Sequence, residues 1–521
     1  MPTIKVATRL VQVNVVVHDK NGKPVQDLAK EDFVLYDQGE IQEISTFSKI
    51  TDNALPANSA PLPPDVVSNR LANSTGPGPA HSIALPNAIT VFFIDRLNTN
   101  WVDHYYAKIA LIKFLEQIQP GDRVAIYALT NGLRVLHDFS ADTASLLTAL
   151  DHYKKNDSFL VEASSQEDSN TGFEYFDSLN KSADEHLKAY YIDQRIKITL
   201  DALTTIAKHL KGIPGRKSLL WLSSSVPLIL NSDHYFYIYN HETQRTLNEL
   251  NDAGIAIYPI DPRGLIGAFA YFSNLSPALG GKAATNNYRD ILSSQDTMIE
   301  LAKGTGGRAF MNTNDIVGAI RKAVEDTRVS YVLGYSPNNQ NWDGKYREIK
   351  LKLKRPGLEA RYRQGYFATP ELGNTKNVRE QALEEAVNAP LLASGLGITA
   401  KIAMKPTEHK AQTTIEAVLD ARELIFHRKD NGEQEAALDM VATVFDDQRQ
   451  PLSQIVRIVR FSIKPVQFTQ NMDTTLSLNI EVNMPAKADR VRLVFRDLES
   501  GTVGSVDVNL AKLVEKNGNR Q

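Results

Sequence analysis

Residues 87–100 read NAITVFFIDRLNTN. A run of β-branched and aromatic side chains from Ile89 to Ile94 stops at a carboxylate, Asp95, and a loop bearing amides and a hydroxyl follows, with Asn98, Thr99 and Asn100. An unbroken apolar run of this kind is how a parallel strand buried on both faces reads, and ligand sites of open α/β sheets lie just past the carboxyl ends of such strands. Asp95 is thereby placed where a binding site belongs. Downstream, Leu111, Ile112, Leu115 and Ile118 fall on one helical face within 102–118, and Pro120-Gly121-Asp122 closes the segment.

From Pro86 onward, strand and helix patterns alternate, which is the mark of an α/β domain with a mostly parallel sheet. Asp122–Leu129 reads as a strand, and Leu133–Phe139 pairs with it around Asn131-Gly132, the strongest hairpin dipeptide. A helix near Ala141–Tyr153 is followed by a polar stretch to about Ser182, expected to be an insertion loop. Ile196, Leu200, Leu203, Ile206 and Leu210 mark a long amphipathic helix closed by Gly212 and Pro214, and Ser218–Leu222 is a further buried strand. Helix Glu242–Ala253, strand Ile255–Ile260 ending at Asp261-Pro262, and helix Asp296–Lys303 complete the alternation.

The flanks read differently. Val11–Phe47 alternates and turns at Asn21-Gly22, as a small β module does. Residues 51–84 hold Pro56, Pro61, Pro63, Pro64, Pro77 and Pro79 among Ser, Asn and Gly, a composition expected of a linker or long surface loop. In Val329–Phe367, Ile349, Leu351 and Leu353 alternate with Lys350, Lys352 and Lys354, giving one dry and one charged face. Beyond Pro370 a helical stretch leads into short alternating runs at regular spacing, an antiparallel β-sandwich pattern in which Arg457, Arg460, Arg490, Arg492 and Arg496 read as exposed strand residues. The expected division is a β module at 1–50 paired with 329–370, a Pro-rich linker or loop at 51–85, an α/β domain at 86–328, a helical connector at 371–390 and a β-sandwich at 391–515.

At 521 residues the chain is too long for one core, since domains hold roughly 100–200 residues each. A net charge of −3 gives no electrostatic reason to expect nucleic acid or an anionic membrane surface as partner. The absence of cysteine excludes thiolate metal sites, thiol nucleophiles and disulfides. With no apolar run long enough to span a bilayer, no transmembrane segment is expected, and the absence of a basic start and apolar core at Met1 points to a cytosolic chain or a removed leader.

Seven motifs in order, IDRLNTN, PGDRVAIYAL with the following VLHDFSAD, IPGRKSLLWLSS, GIAIYPIDPRGL, LAKGTGGRAF, SYVLGYSPNN and KYREIKLKLKRPGLEARYRQGYF, resemble the von Willebrand factor A-type (VWFA) fold, and in particular the acidobacterial VWFA-related proteins, over about residues 5–370. The resemblance implies a doubly wound, Rossmann-like α/β sheet, flanked here by β-sandwich domains, with a cation site at its strand tops that binds another macromolecule. In the family that site is a D-x-S-x-S loop, a distant threonine and an aspartate after the fourth strand, oxygen ligands suited to Mg2+. Asp95 and Thr99 match the first and last loop positions, Leu97 replaces the first serine, and Ser224 of Ser223-Ser224-Ser225 stands at the aspartate position. Thr171 is the candidate for the distant threonine. The expected metal set is thus Asp95, Thr99 and Ser224, a degenerate site for Mg2+ or another divalent cation, and a metal-free reading is placed ahead of it. In that reading Asp95 caps the next helix or accepts backbone donors in its loop.

Gly212–Ser218 lacks the glycine before lysine of a phosphate loop and precedes a strand, so it reads as a turn. Gly304-Thr305-Gly306-Gly307 follows a helix, where glycine supplies left-handed cap geometry. No G-x-S-x-G surrounds the serine triplet, and the histidines lack zinc spacing. The expectation is a non-enzymatic adhesion module in which Asp95, Asn98, Thr99, Ser223, Ser224 and Asp261 contact a protein or carbohydrate partner. The alternative is a structural component of a cell-envelope assembly with a vestigial metal site. The resemblance implies an extracytoplasmic location, periplasmic or secreted, with a cytoplasmic one left open.

Overall fold

The computed structural model describes residues 10–51, 63, 66–70, 89–118, 122–153, 174–213, 215–225, 233–265, 281–326, 328–369, 375–404, 412–429, 431–463, 475–485 and 487–510. Contacts divide the chain into two compact units, one of Met1–Ala54, Pro86–Thr204 and Gly215–Pro370, the other of Leu55–Leu85, Thr205–Pro214 and Glu371–Gln521.

The first unit opens with β1 (Val11–Asp19), β2 (Phe33–Asp37), β3 (Glu40–Gln42) and β4 (Thr46–Thr51), and its last strands are β11 (Val329–Tyr335), β12 (Tyr346–Leu353), β13 (Leu358–Arg361) and β14 (Gly365–Phe367). These strands, remote in sequence, interleave in two four-stranded sheets, β13-β1-β11-β4 and β14-β12-β2-β3. Both sheets feed one core, in which Val13, Val15 and Val17 of β1 meet Leu35, Tyr331, Leu333 and Ile349. The lysine alternation of β12 appears as strict inside-outside alternation over Tyr346–Lys352, with Ile349 and Leu351 buried.

Between them lies the sheet that positions the site, built from β6 (Ile89–Asp95), β7 (Arg123–Leu129), β8 (Leu133–Ser140), β9 (Lys217–Leu222) and β10 (Ile255–Ile260) in the order β10-β9-β6-β7-β8. The pairs β10/β9, β9/β6 and β6/β7 are parallel, whereas β8 returns antiparallel through the Asn131-Gly132 turn. After β6 the chain places β7 on one side and later β9 on the other, so the order reverses between β6 and β9, the switch point at which open α/β sheets hold ligands. Register aligns the ends: Leu222 lies opposite both Ile94 and Ile260, so Asp95, Ser223 and Asp261 leave the sheet side by side.

Helices α1 (Trp101–Leu115), α2 (Thr143–His152), α3 (Glu174–Leu210), α4 (Asp233–Asp252), α5 (Gly281–Thr305) and α6 (Ile316–Glu325) connect these strands. Ala107, Leu111 and Phe114 of α1, Leu146 and Leu150 of α2, and Ile320 and Val324 of α6 share a core with Phe92, Ile94, Leu220 and Tyr258 of the sheet. Two segments differ from the sequence reading. Helix α3 begins at Glu174, inside the stretch expected to be a loop, because Glu, Leu, Lys and Ala permit a helix even where no apolar stripe announces it. Helix α6 is the second, a segment to which the sequence pattern assigns no element, although Asp315 caps it by accepting from the Gly318 amide and Ile316, Ala319, Ile320 and Ala323 repeat at helical spacing.

Asp326, just past α6, is almost fully buried and ties the α/β domain to the β module: it receives His18 Nε2 of β1 at 3.0 Å and the Arg361 guanidinium of β13. Burial acts to raise its pKa, but the His18 hydrogen bond and the charge of Arg361 outweigh this and hold it below the usual carboxylate value of 3.8. A depressed carboxylate contributes stability that is present above the unfolded pKa and lost as pH falls through the folded one. Asp326→Asn is therefore expected to lose about 3 kcal/mol at neutral pH, because breaking a buried pair strands its partners. Urea midpoints of the two proteins should converge as pH falls below the ordinary carboxylate range.

The second unit contains β5 (Val66–Ser68), β15 (Ile398–Met404), β16 (Gln412–Asp420), β17 (His427–Arg428), β18 (Gln434–Phe445), β19 (Pro451–Ile463), β20 (Thr475–Asn483), β21 (Arg490–Asp497) and β22 (Val503–Asn509), with helix α7 (Lys376–Asn388). Sheet β20-β16-β15-β5 and the sheet containing β18, β21 and β22 share a core that includes Ile398, Ile415, Leu438, Leu493 and Val506. Within the Pro-rich stretch read as linker, Val66-Val67-Ser68 forms an edge strand on β15, since two β-branched residues suffice for a short strand. Arg492 and Arg496 are buried and paired, contrary to their reading as exposed. Arg492 donates to Asp507 at 2.7 and 2.8 Å, and Arg496 lies 3.6 Å from Asp439, because β21 is a central strand with both faces covered. Arg457 and Arg460 on β19 are exposed.

Candidate functional site

Asp95 is fully buried at the end of β6, and four donors converge on its carboxylate. The Asn98 amide nitrogen reaches Oδ1 at 2.8 Å. Asn98 Nδ2, Trp221 Nε1 and Ser223 Oγ reach Oδ2 at 2.9, 2.9 and 3.0 Å. Burial raises the Asp95 pKa, against the pull of the Asn98, Trp221 and Ser223 hydrogen bonds. The helix cap read as a role for Asp95 falls instead to Asn100, whose side chain accepts from the Asp103 amide at 2.9 Å.

The neighbouring groups extend the network. Thr99 Oγ1 donates to Ser223 Oγ at 3.3 Å and accepts from the Ser224 amide at 3.2 Å, so both functions of its hydroxyl are used. Asn98 is held in turn by Thr199 Oγ1, 3.1 Å from its Nδ2, and by Arg195 Nε, which donates to Oδ1 at 3.0 Å. Burial lowers the Arg195 pKa, while the Asp95 charge supports its ionised form. Trp221, Thr199 and Arg195 escape sequence reading because they look like strand or helix core residues; their partners lie 126, 101 and 97 positions away.

Asp261 is also fully buried, and Arg263 closes on it as a fork, with Nε 2.8 Å from Oδ1 and a terminal nitrogen 2.6 Å from Oδ2. Asp103 of α1 joins this side of the crevice. Burial raises its pKa, while a hydrogen bond with Ser224 and the charge of Arg263 favour its ionised form and Asp261 opposes it.

The structure thus brings Asp95, Asn98, Thr99 and Ser223 into one hydrogen-bonded cluster, with Ser224 joined to it through its backbone amide. Asp261 stands beside it on the adjacent strand, engaged by Arg263. Thr171 lies outside the described residues. The six residues read as direct partner contacts are between 0 and 5 % exposed, so they build the floor of the crevice and do not form its outer face. The cause is the network itself, which turns each side chain inward. Exposed apolar groups on the elements that lead from these loops include Trp101, Val102, Tyr105 and Tyr106 on the first turns of α1 and Leu265 after β10. Among the described residues no cluster of His, Asp and Glu side chains is gathered as a metal site, and no helix is long and apolar enough to cross a membrane.

No family model matches the chain, and no curated protein does. Among solved structures, the chain is similar to a von Willebrand factor type A protein from Catenulispora acidiphila, at 10% identity over 66% of this chain and 80% of that one, with a TM-score of 0.25. It is also similar to an aerotolerance-related membrane protein from Bacteroides fragilis, at 12% identity over 46% of this chain and 98% of that one, TM-score 0.25. A third likeness is the SpRpn10 VWA domain, at 13% identity over 45% of this chain and 94% of that one, TM-score 0.21. At such scores the strand order and register, not these likenesses, define the architecture.

Proposed function

We propose that the chain is a non-enzymatic, extracytoplasmic interaction protein of the acidobacterial VWFA-related kind, with a doubly wound A-type domain whose strand tops engage a protein or carbohydrate partner without a cation. The observation that carries this reading is the saturation of Asp95 by four protein donors. Three of them, the Asn98 amide and side-chain nitrogens and the Trp221 indole, are N–H groups that a cation would have to displace. Leu97, fully buried, offers no oxygen where the family has a serine, and Ser224 offers no charge where it has an aspartate. Mg2+ demands near-octahedral oxygen ligation and gives up water reluctantly, so this donor set does not fit it.

The same saturation argues against catalysis. Among the described hydrogen bonds, Ser223 Oγ is engaged by Asp95, Thr99 and Ser225, with no histidine to act as base. The crevice floor is fixed, and recognition falls to its rim, where Tyr105 and Tyr106 supply large, rigid contact area at small entropic cost. Immobilised glycan and protein panels, read by interferometry, test this: a Tyr105→Ala/Tyr106→Ala double variant loses whatever binding the full chain displays. Unchanged binding by that variant overturns the rim assignment.

The second reading, a structural envelope component with a vestigial strand-top site, is favoured by β19. Among the described residues this thirteen-residue strand pairs with β18 alone, and it exposes Val456 and Ile458. Such an edge is a template for strand addition. Binding lost in Val456→Lys/Ile458→Lys, and kept in the tyrosine variant, selects it.

A further inference from the structure

A second concave site lies away from the strand tops, in the first unit, where α4 and α5 meet β12 and β14. It is a cavity of about 250 Å³ with mostly apolar walls. One wall is aromatic: Tyr346 and Phe367 pack edge to face, their ring centroids 5.2 Å apart. The Tyr346 ring lies directly on the backbone of Gly365, where a Cβ would come within 2.3 Å of the phenol, so the position of this wall depends on a glycine. Leu247 of α4 and Leu301 of α5 also line the cavity.

Two further features define what fits. Thr243 lines the cavity, is 8 % exposed, and its buried hydroxyl oxygen has no hydrogen-bond partner among the described residues. That oxygen is sealed off from the cavity space, so Thr243 presents no polar contact to a ligand seated there. The two charged residues lining the cavity, Glu300 and Lys303, pair with each other at 3.0 Å and leave no net charge for an ionic ligand to meet. Mostly apolar walls with a few polar groups are the usual makeup of a small-molecule pocket.

We propose that this cavity binds a small, planar, uncharged ring compound of about two fused rings, seated along the Tyr346–Phe367 wall. The site is independent of the strand-top crevice and of any partner bound there.

Gly304 of α5 supplies the test. A Cβ there would find its nearest neighbours at 3.9 Å, the two methyl carbons of Leu247, and a leucine at this helical position would extend toward the cavity. Glycine is a poor helix former, so Gly304→Leu should keep or raise the melting temperature. The probe is 2-naphthol, followed by its own fluorescence with the full chain, and naphthalene serves as the partner lacking the hydroxyl. Saturable one-site binding of 2-naphthol is expected, weakened at least about tenfold in Gly304→Leu, as expected for steric loss of the site. Tyr346→Ala should weaken 2-naphthol and naphthalene alike, because it removes one ring of the aromatic wall. Absence of saturable 2-naphthol binding, or unaltered binding in a folded Gly304→Leu, overturns the site. Should Gly304→Leu fail to fold, unaltered binding of 2-naphthol in Tyr346→Ala overturns the assignment by itself.

Discussion

Asp95→Ala is expected to destabilise the first unit by about 4 kcal/mol or more, since each buried donor left unpaired costs about 1–3 kcal/mol. The substitution orphans four donors at once: the Asn98 amide, Asn98 Nδ2, Trp221 Nε1 and Ser223 Oγ. Asp95→Asn keeps the shape and one acceptor oxygen but turns an NH2 toward part of this donor set, so a smaller loss is expected. The two variants also differ from wild type in pH response. Burial raises the Asp95 pKa, and a raised group contributes stability that is present below the unfolded pKa and lost as pH rises through the folded one. The advantage of wild type over Asp95→Asn should therefore shrink as pH climbs above 3.8, its ordinary value, through that raised pKa. Denaturant midpoints across pH check both statements; an Asp95→Ala protein as stable as wild type would mean the four hydrogen bonds are not made.

Gly307→Ala is the second substitution of large expected effect. A Cβ at this position would sit 1.9 Å from the carbonyl oxygen of Ile257 in β10, and backbone cannot give way as a flexible side chain does. Overpacking a fixed position typically costs about 1–3 kcal/mol, and a clash with the backbone of a fully buried strand puts this case at about 3 kcal/mol or above. Gly306 has φ of +74° and closes α5, so alanine there is strained as well, whereas a Cβ at Gly304 would meet only the Leu247 methyls at 3.9 Å and alanine should be accepted without loss. Melting temperatures of the three alanine variants should separate accordingly, with Gly307→Ala lowest and Gly304→Ala at or above wild type. Equal melting temperatures would contradict the packing of this glycine turn on the sheet.

These glycines illustrate how far the sequence speaks. A left-handed cap after a helix is legible in Gly304-Thr305-Gly306-Gly307, and Gly306 has that conformation. The need for Gly307 is not, because it arises from a carbonyl 50 residues earlier in the chain. The hairpin at Asn131-Gly132 and the dry and charged faces of β12 are local patterns and read directly. Helix α3 upstream of Tyr191 carries no apolar period, so its polar start cannot be told from a loop. The arginines of β21 alternate with apolar residues as exposed ones would, and only the acidic partners on β18 and β22 reveal them as buried.

The site divides in the same way. Asp95 draws notice because an apolar strand ends on a carboxylate, and the serine triplet because it ends another. What the side chains do there depends on Trp221, Arg195 and Arg263; Trp221 and Arg263 fall inside quoted motifs that do not mark them as site residues, and Arg195 falls in none. Trp221 looks like core and is core, yet its indole nitrogen holds Asp95. Arg263 follows Asp261 by two residues in a turn, and the fork it makes decides that both Asp261 oxygens are spent inside the protein. The exposed tyrosines of α1 lie outside the apolar stripe by which that helix is recognised, so a search for core residues passes over them.

The most direct test of the central claim, that protein donors and not a cation occupy the Asp95 carboxylate, is calorimetric titration of the full chain with Mn2+ and Mg2+ at neutral pH. No saturable heat is expected at millimolar concentrations of either ion. A one-site isotherm that disappears in a folded Asp95→Asn protein would contradict it.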